Sequence, residues 1–195
     1  MDKFVFPSIR LQAVCFIALT ALLVLQIYVI HPIEHLLLPH KDLDQASLMY
    51  LPHGLKVLLA FVMGISIFPV VLVAQLVAFY VFFGASLNDT VIGALYGSLA
   101  VFLPVILVNF MLARKWHQPA STSTNPMSLF RLFIVVVILS LFLNAALHGD
   151  YFANKGTISL PFRYMFGDMM GSLIVFGTAM IFRHQIARYV IRKHS

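Results

Sequence analysis

The stretch YLPHGLKVLLAFVMGISIFPVVLVAQLVAFYVF, residues 50–82, has the pattern of two apolar helices joined by a tight connection. The connection is predicted between Gly64 and Pro69, because glycine and proline commonly interrupt regular secondary structure. Most of the stretch is soluble in lipid, but its beginning carries His53 and Lys56. A lysine at such depth costs at least ~2–3 kcal/mol on membrane-insertion scales. The stretch therefore predicts two membrane-crossing helices, the first with an unexplained charge near its outer end.

The composition of the whole chain indicates an integral membrane protein. Hydrophobic residues make up 61% and charged residues 10% of the 195 residues, whereas about a quarter of a soluble domain is charged. Apolar runs of about 20 residues recur along most of the length, as in spanning helices. We expect one all-α polytopic membrane domain, residues 1–195, with about six transmembrane helices. The predicted spans are about 11–30, 48–64, 68–83, 91–112, 129–148 and 161–182, with a polar loop at 113–128 and a basic tail at 183–195.

The distribution of charge predicts an orientation, because Lys and Arg collect on the cytoplasmic side of membrane proteins. One side of the six-span topology holds Lys3, Arg10, Arg114, Lys115, Arg131, Arg183, Arg188, Arg192 and Lys193. The opposite side holds Glu34, Asp42, Asp44, Asp89 and Asp150. Both termini are therefore expected on the cytoplasmic side of a bacterial inner membrane. The net charge of +6 comes mostly from the Lys and Arg residues on the cytoplasmic side, where they would attract anionic membrane lipid. It does not indicate nucleic-acid binding.

Two charges of opposite sign are expected at matching depths inside the bundle. At ~1.5 Å per residue, Lys56 lies roughly 9–12 Å and Asp168 about 10 Å below the external ends of their spans. Charges at such depth usually pair or line a wet cavity. We therefore predict that both side chains face the bundle interior and approach one another.

Other polar residues are predicted at the same level, where they would outline a pocket open to the outside. The predicted ligand-binding residues are Tyr50, His53, Lys56, Asn144, His148, Arg163 and Asp168. Pro52 and Gly54 would interrupt the second span, which is tolerated only beside protein or water. Lys56 and Arg163 would favour a small anionic ligand. The alternative is a purely structural network in which Lys56 extends toward the interface and fixes helix register.

The segment HPIEH, residues 31–35, matches the H-x-x-E-H pattern of inverted zinc proteases. Pro32 suits only the first turn of a helix, which predicts a break at His31, and a third zinc ligand has no clear candidate. We expect an interfacial turn there, no resident metal and no cofactor. Without a phosphate-binding loop or nucleophile elbow, the sequence predicts that the protein is not an enzyme.

The 50–82 stretch resembles the hallmark segment of the first membrane-associated sensor domain family (MASE type). That hallmark is a W/Y-x-P-x-G turn starting a helix that ends in Gly, followed by a Pro-containing helix. The matching residues are Tyr50, Pro52, Gly54, Gly64 and Pro69. MFGDMMGSLIVF, residues 165–176, resembles the family's G-D-x-x-G pattern, matched by Gly167, Asp168 and Gly171.

The resemblance implies an integral sensor, with a signal leaving through helix movements. Members of the family often have about eight spans and a cytoplasmic output domain, whereas we expect six spans and no output domain from this sequence. A separate membrane or cytoplasmic protein partner is therefore expected, docking on the loop or the basic tail. Two alternatives stay open: an accessory subunit that stabilises a larger membrane complex, and a substrate-binding subunit of a vitamin-type transporter.

Overall fold

The computed structural model of the protein describes residues 7–37, 47–112, 126–148 and 159–192. Throughout this part of the chain the regular structure is helical, without a β-strand. The helices are α1 (Ile9–Leu37), α2 (Leu51–Met63), α3 (Phe68–Val77, continued by a π-helical turn at Ala78–Phe82), α4 (Leu87–Met111), α5 (Pro126–Leu147) and α6 (Ser159–Arg192). A 3₁₀ turn, Gly64–Ile67, joins α2 to α3.

Within these described ranges, five helical stretches are long and apolar enough to cross a membrane. They are Ile9–Leu37, Leu51–Phe82, Leu87–Met111, Ser128–Leu147 and Tyr164–Phe182. Their lengths of 19 to 32 residues match or exceed the roughly 20 residues that a hydrocarbon core needs. The chain therefore has the character of a multi-pass membrane protein.

The second of these stretches folds back on itself, so that α2 and α3 lie side by side. The Gln75 side chain packs directly against Gly97, and Lys56 Nζ lies 3.9 Å from the position of a β-carbon on Gly97. In an unbroken helix Lys56 and Gln75 would be about 28 Å apart, at ~1.5 Å per residue. Both can reach Gly97 only if the chain reverses between them. Gly64, at φ 65° and ψ −154°, provides the reversal.

Neighbouring contacts show that α1 runs opposite to α2. Near one end of the pair, Gln26 Oε1 accepts a hydrogen bond from the Leu51 backbone N–H. Near the other end, Cys15 Sγ lies 4.0 Å from Met63 Sδ. An increase in residue number along α1 thus corresponds to a decrease along α2.

The later helices continue this alternation of direction. The rings of Phe68 and Phe102 lie 5.2 Å apart, while Gln75 contacts Gly97, so α3 and α4 are antiparallel. The sixth helix runs parallel to the second, because Gly167 approaches Ser47 while Gly171 approaches Tyr50.

The first helix is longer than the predicted 11–30 segment, and the predicted break at His31 is wrong. A π-helical turn, Gln26–Ile30, leads directly into an α-helical end, His31–Leu37. Pro32 has no N–H and its ring would clash with the carbonyl four residues earlier. A wider turn just before the proline accommodates it without ending the helix.

The apolar core lies in the half of the bundle nearest Gly64. Val57, Ala60 and Phe61 on α2 are fully buried there. The Phe61 ring packs edge-on against Phe133, whose centroid is 5.4 Å away, and Phe133 stacks on Phe176 at 4.1 Å. The first half of α2 instead buries polar side chains, so one short helix joins an apolar core to a polar cluster.

Replacing Gly64 with Ala should destabilise the hairpin. The φ and ψ of Gly64 fall in a region that is essentially restricted to glycine, where another residue is strained by about 1–3 kcal/mol. We expect a lower unfolding temperature for Gly64→Ala in detergent. Gly177→Ala is the control, because a β-carbon there meets nothing within 4 Å. Equal unfolding temperatures for the two variants would contradict a turn that requires glycine.

Candidate functional site

A close backbone crossing between the start of α2 and the middle of α6 supports the polar cluster. The Tyr50 N–H donates a hydrogen bond of 2.9 Å to the Gly167 carbonyl. A β-carbon on Gly54 would collide with the Gly171 backbone, and one on Gly171 would collide with the Tyr50 carbonyl. These motif glycines therefore allow two backbones to approach more closely than side chains would permit.

The first helix fixes the short segment that leads into α2. Glu34 Oε1 accepts hydrogen bonds from Ser47 Oγ at 2.9 Å and from the Met49 N–H at 3.1 Å. Gln26 Nε2 donates to Ser47 Oγ at 2.8 Å, while its Oε1 accepts from the Leu51 N–H at 3.2 Å. Gln26 thus satisfies a backbone donor in the first turn of α2 that has no partner within the helix.

Asp168 lies at the centre of the cluster and is only 1% exposed. Its Oδ2 accepts a hydrogen bond of 2.6 Å from Asn144 Nδ2. His53 Nδ1 lies 3.5 Å from the same oxygen. The other carboxylate oxygen, Oδ1, is buried and has no hydrogen-bond partner among the described residues. An ionised carboxylate in this position carries the cost of an unmet acceptor, about 1–3 kcal/mol or more.

His53 connects this carboxylate to α5. Its Nε2 lies 3.1 Å from Ser140 Oγ, and both residues are buried. If Nδ1 carries the imidazole proton, His53 presents it to Asp168 while Nε2 accepts from the Ser140 hydroxyl. Helices α2, α5 and α6 are therefore linked through three side chains.

Lys56 is 5% exposed and belongs to the same cluster, but it does not pair directly with Asp168. Among the described cationic side chains, only that of His53 lies within 4.0 Å of the Asp168 carboxylate. Lys56 Nζ instead lies 5.9 Å from the centroid of the Tyr50 ring, within cation–π range. The Lys56 and Asp168 charges still act on one another electrostatically.

Aromatic side chains close the cluster toward the ends of α5 and α6. His148 Nδ1 lies 3.0 Å from the Asn144 carbonyl oxygen. The His148 ring stacks on Tyr164, with centroids 6.3 Å apart, and meets Tyr96 edge-on at 5.9 Å. The three rings are partly exposed, whereas Asn144 below them is buried.

The structure thus brings together six of the seven residues predicted to bind a ligand. They are Tyr50, His53, Lys56, Asn144, His148 and Asp168. The side chain of the seventh, Arg163, lies outside the described residues. The predicted loop at 113–128 is described only from Pro126, and side chains of the tail at 183–195 also lie outside the described part.

The sequence analysis missed Ser140, Gln26 and Glu34. Ser140 lies one helical turn from Asn144 on the same face of α5, and this spacing was the available signal. Gln26 stands among apolar residues in α1, and an amide inside a span usually has a hydrogen-bonding role. The role of Glu34 depends on a contact with Ser47 that no local pattern encodes.

The HPIEH segment does not have the geometry of a metalloprotease site. His31 Nε2 and His35 Nε2 lie 3.2 Å apart, while the Glu34 carboxylate is engaged by Ser47 and Met49. One oxygen of Glu34, Oε1, is therefore committed to the segment that leads into α2. In the described ranges, no group of three or more His, Cys, Asp or Glu side chains is arranged to hold a metal ion.

Comparisons with known proteins return no match: no family model fits the chain, and neither a curated protein nor a solved structure is significantly similar to it.

The hydrogen bond between Asn144 and Asp168 can be measured with a double-mutant cycle. Asn144→Leu, Asp168→Leu and the double variant, in which each leucine removes one partner of the bond, would be compared in reversible unfolding by SDS titration. We expect a coupling free energy of about 1–2 kcal/mol, because the bond has a carboxylate acceptor but membrane hydrogen bonds tend to be modest. Additivity within ~0.5 kcal/mol would show that the two side chains do not interact.

Proposed function

We propose that the protein is a membrane sensor that binds a small polar ligand in the cluster around Asp168 and signals through a separate protein partner. The observation that carries this proposal is the buried Asp168 carboxylate with one unpartnered oxygen. Lys56 lies in the same cluster without a carboxylate in direct contact. Buried charges inside membrane proteins are costly and usually functional. Because α2, α5 and α6 each contribute a side chain, a ligand at this point would affect three helices.

The proposal includes six crossings of a bacterial inner membrane, with both termini in the cytoplasm. Support comes from the reversal at Gly64 and from the Lys and Arg residues that collect in the termini and the 113–128 loop. Helix α2 has 13 residues and is about 20 Å long, shorter than the ~30 Å hydrocarbon core. The Ser47–Tyr50 segment, which is half-buried, and the mostly buried 3₁₀ turn would supply the remaining length.

The resemblance to the MASE-type sensor family supports the same function. The two hallmark motifs of the family are short and lie far apart in the sequence. Here the glycines of both motifs have the same physical role. Gly54, Gly167 and Gly171 all lie at the α2–α6 crossing, and Asp168 lies beside it. A ligand that changed this crossing would act directly on α6.

The sixth helix is the proposed route of the signal. It comprises 34 residues, Ser159–Arg192, and is therefore about 51 Å long. A hydrocarbon core of ~30 Å leaves several turns of helix beyond the membrane. A rigid helix transmits a shift or rotation at Asp168 to its far end, where Arg183, Arg188 and Arg192 would meet the partner or anionic lipid.

The alternative of an accessory subunit is favoured by the extent of burial. His53, Lys56, Asn144 and Asp168 are each no more than 5% exposed, as expected of a network that fixes helix register. In that case the cluster would serve assembly with a larger complex and no ligand would be bound.

Cysteine labelling tests the proposed orientation. In a Cys15→Ser background, single cysteines at Ser86, Ser121 and Ser195 would be probed with a membrane-impermeant maleimide. We expect Ser86→Cys to be labelled in intact spheroplasts, and the other two only after permeabilisation. Labelling of Ser121→Cys and Ser195→Cys from outside would mean that the orientation is inverted.

Native mass spectrometry from the protein's own membrane tests the function. We expect a second polypeptide and a bound small molecule to be released with the wild-type protein. Lys56→Met and Asp168→Asn should each lose the small molecule. Arg131→Met and Asp89→Asn, which neutralise exposed charges, should retain it. A partner without any small molecule would favour the accessory subunit. If neither a partner nor a small molecule were released with the protein, both proposals would be contradicted.

A further inference from the structure

Two buried charges of opposite sign in the cluster have incomplete partners, and they differ in what they lack. Asp168 Oδ2 accepts a hydrogen bond from Asn144, whereas Oδ1 is buried and accepts none from any residue that the structure describes. Its chemical requirement is a hydrogen-bond donor, preferably a positively charged one. A ligand that reaches Asp168 must therefore present an ammonium or a similar donor.

Lys56 has the opposite requirement. Its Nζ faces the Tyr50 ring at 5.9 Å and lies beside Gly97. In the described part of the chain, no carboxylate lies within 4.0 Å of it. An ammonium has three donors and no acceptor, so a ligand that reaches Lys56 must present an anionic or strongly accepting group.

The missing side chain on Gly97 is relevant to this geometry. Lys56 Nζ lies 3.9 Å from the position of a β-carbon there. The Gln75 side chain already packs against this position, so its amide borders the ammonium. Gly97 therefore presents only backbone at this point, and the adjoining side chain is that of Gln75.

We infer that the ligand of this cluster is a small zwitterion, with its ammonium on Asp168 Oδ1 and its carboxylate on Lys56 Nζ. This inference rests on the proposed function and specifies the chemical class of its ligand. It replaces the simple anion expected from Lys56 and Arg163 in the sequence, because an anion alone would be repelled by Asp168. A zwitterion satisfies both charges at once and adds no net charge to a buried site.

The histidine and the amide of the cluster are compatible with this assignment. Asn144 donates to Asp168 Oδ2, which fixes the carboxylate and directs Oδ1 elsewhere. His53 lies between Ser140 and the same Oδ2. Both groups orient the carboxylate without competing for the oxygen that the ligand would use.

The test compares ligands that carry both charges, one charge or the other, on protein in phosphatidylcholine nanodiscs. Glycine, β-alanine and γ-aminobutyrate carry both charges at increasing separation. Glycine methyl ester carries only the cation, and acetate only the anion. Calorimetry should show one of the three zwitterions binding at least about tenfold more tightly than either single-charge compound, because it gains a second charged contact.

Variants then assign each end of the ligand. Asp168→Asn and Lys56→Met should each weaken binding of the preferred zwitterion by at least about tenfold. Asp168→Asn should leave acetate binding unchanged or stronger, since it removes a repulsive charge. Arg131→Met and Asp89→Asn provide charge-matched controls and should bind as the wild type does. Since the comparison among ligands uses wild-type protein, it remains decisive even if a variant fails to fold.

Several results would overturn the inference. Acetate binding as tightly as the best zwitterion would identify an anion site, and equal binding of the methyl ester a cation site. The titration would extend to about 10 mM ligand, a concentration that detects even weak binding with a Kd in the millimolar range. If none of the three zwitterions bound, small zwitterions with these charge separations would be excluded. The proposed function would survive each of these results if native mass spectrometry still found a small molecule lost in the Asp168 variant.

Discussion

The close crossing of α2 and α6 is the constraint on which the rest of the structure depends. The hydrogen bond from the Tyr50 N–H to the Gly167 carbonyl can form only because glycines at 54, 167 and 171 leave the two backbones unobstructed. This crossing sets the depth of His53 relative to Asp168. It also presents the start of α2 to Gln26 and Glu34 on α1, so the polar cluster is built on backbone contacts rather than on long side chains.

The division of α2 into a polar and an apolar half explains how such a cluster is tolerated. Toward Gly64 the helix buries Val57, Ala60 and Phe61 in a closely packed core, which supplies dispersion contacts that association in lipid depends on. Toward Tyr50 the same helix buries an ammonium and an imidazole, which work against stability unless they are paired. The apolar half can therefore stabilise a polar half whose pairing is incomplete.

The sequence predicts the helices well because apolar runs and Gly–Pro punctuation are local signals. Segments such as 68–83 and 91–112 lie close to α3 and α4. It also predicts that Lys56 and Asp168 face inward, since hydrocarbon leaves few other positions for them. The sequence does not predict that Lys56 and Asp168 remain apart. Their separation depends on the positions of Asn144 and His53, which contact the carboxylate instead of Lys56. The sequence likewise does not predict that α1 continues past Pro32 after a π turn, since a proline normally predicts an interruption of the helix.

The proposed sensor role requires a ligand site in a state that the ligand can change, and an incompletely paired cluster would meet this requirement. Asn144 donates a hydrogen bond to one carboxylate oxygen, and His53, which contacts Ser140, lies beside the same oxygen. Within the described residues the second oxygen accepts no hydrogen bond. A ligand bound there would add an interaction that exists in only one of two arrangements, which is the condition for shifting an equilibrium. Because the carboxylate belongs to α6, the arrangement that the ligand favours would be expressed along a helix of 34 residues. A fully paired Lys56–Asp168 ion pair would offer no such difference, and so the proposed signalling role depends on the separation of the two charges.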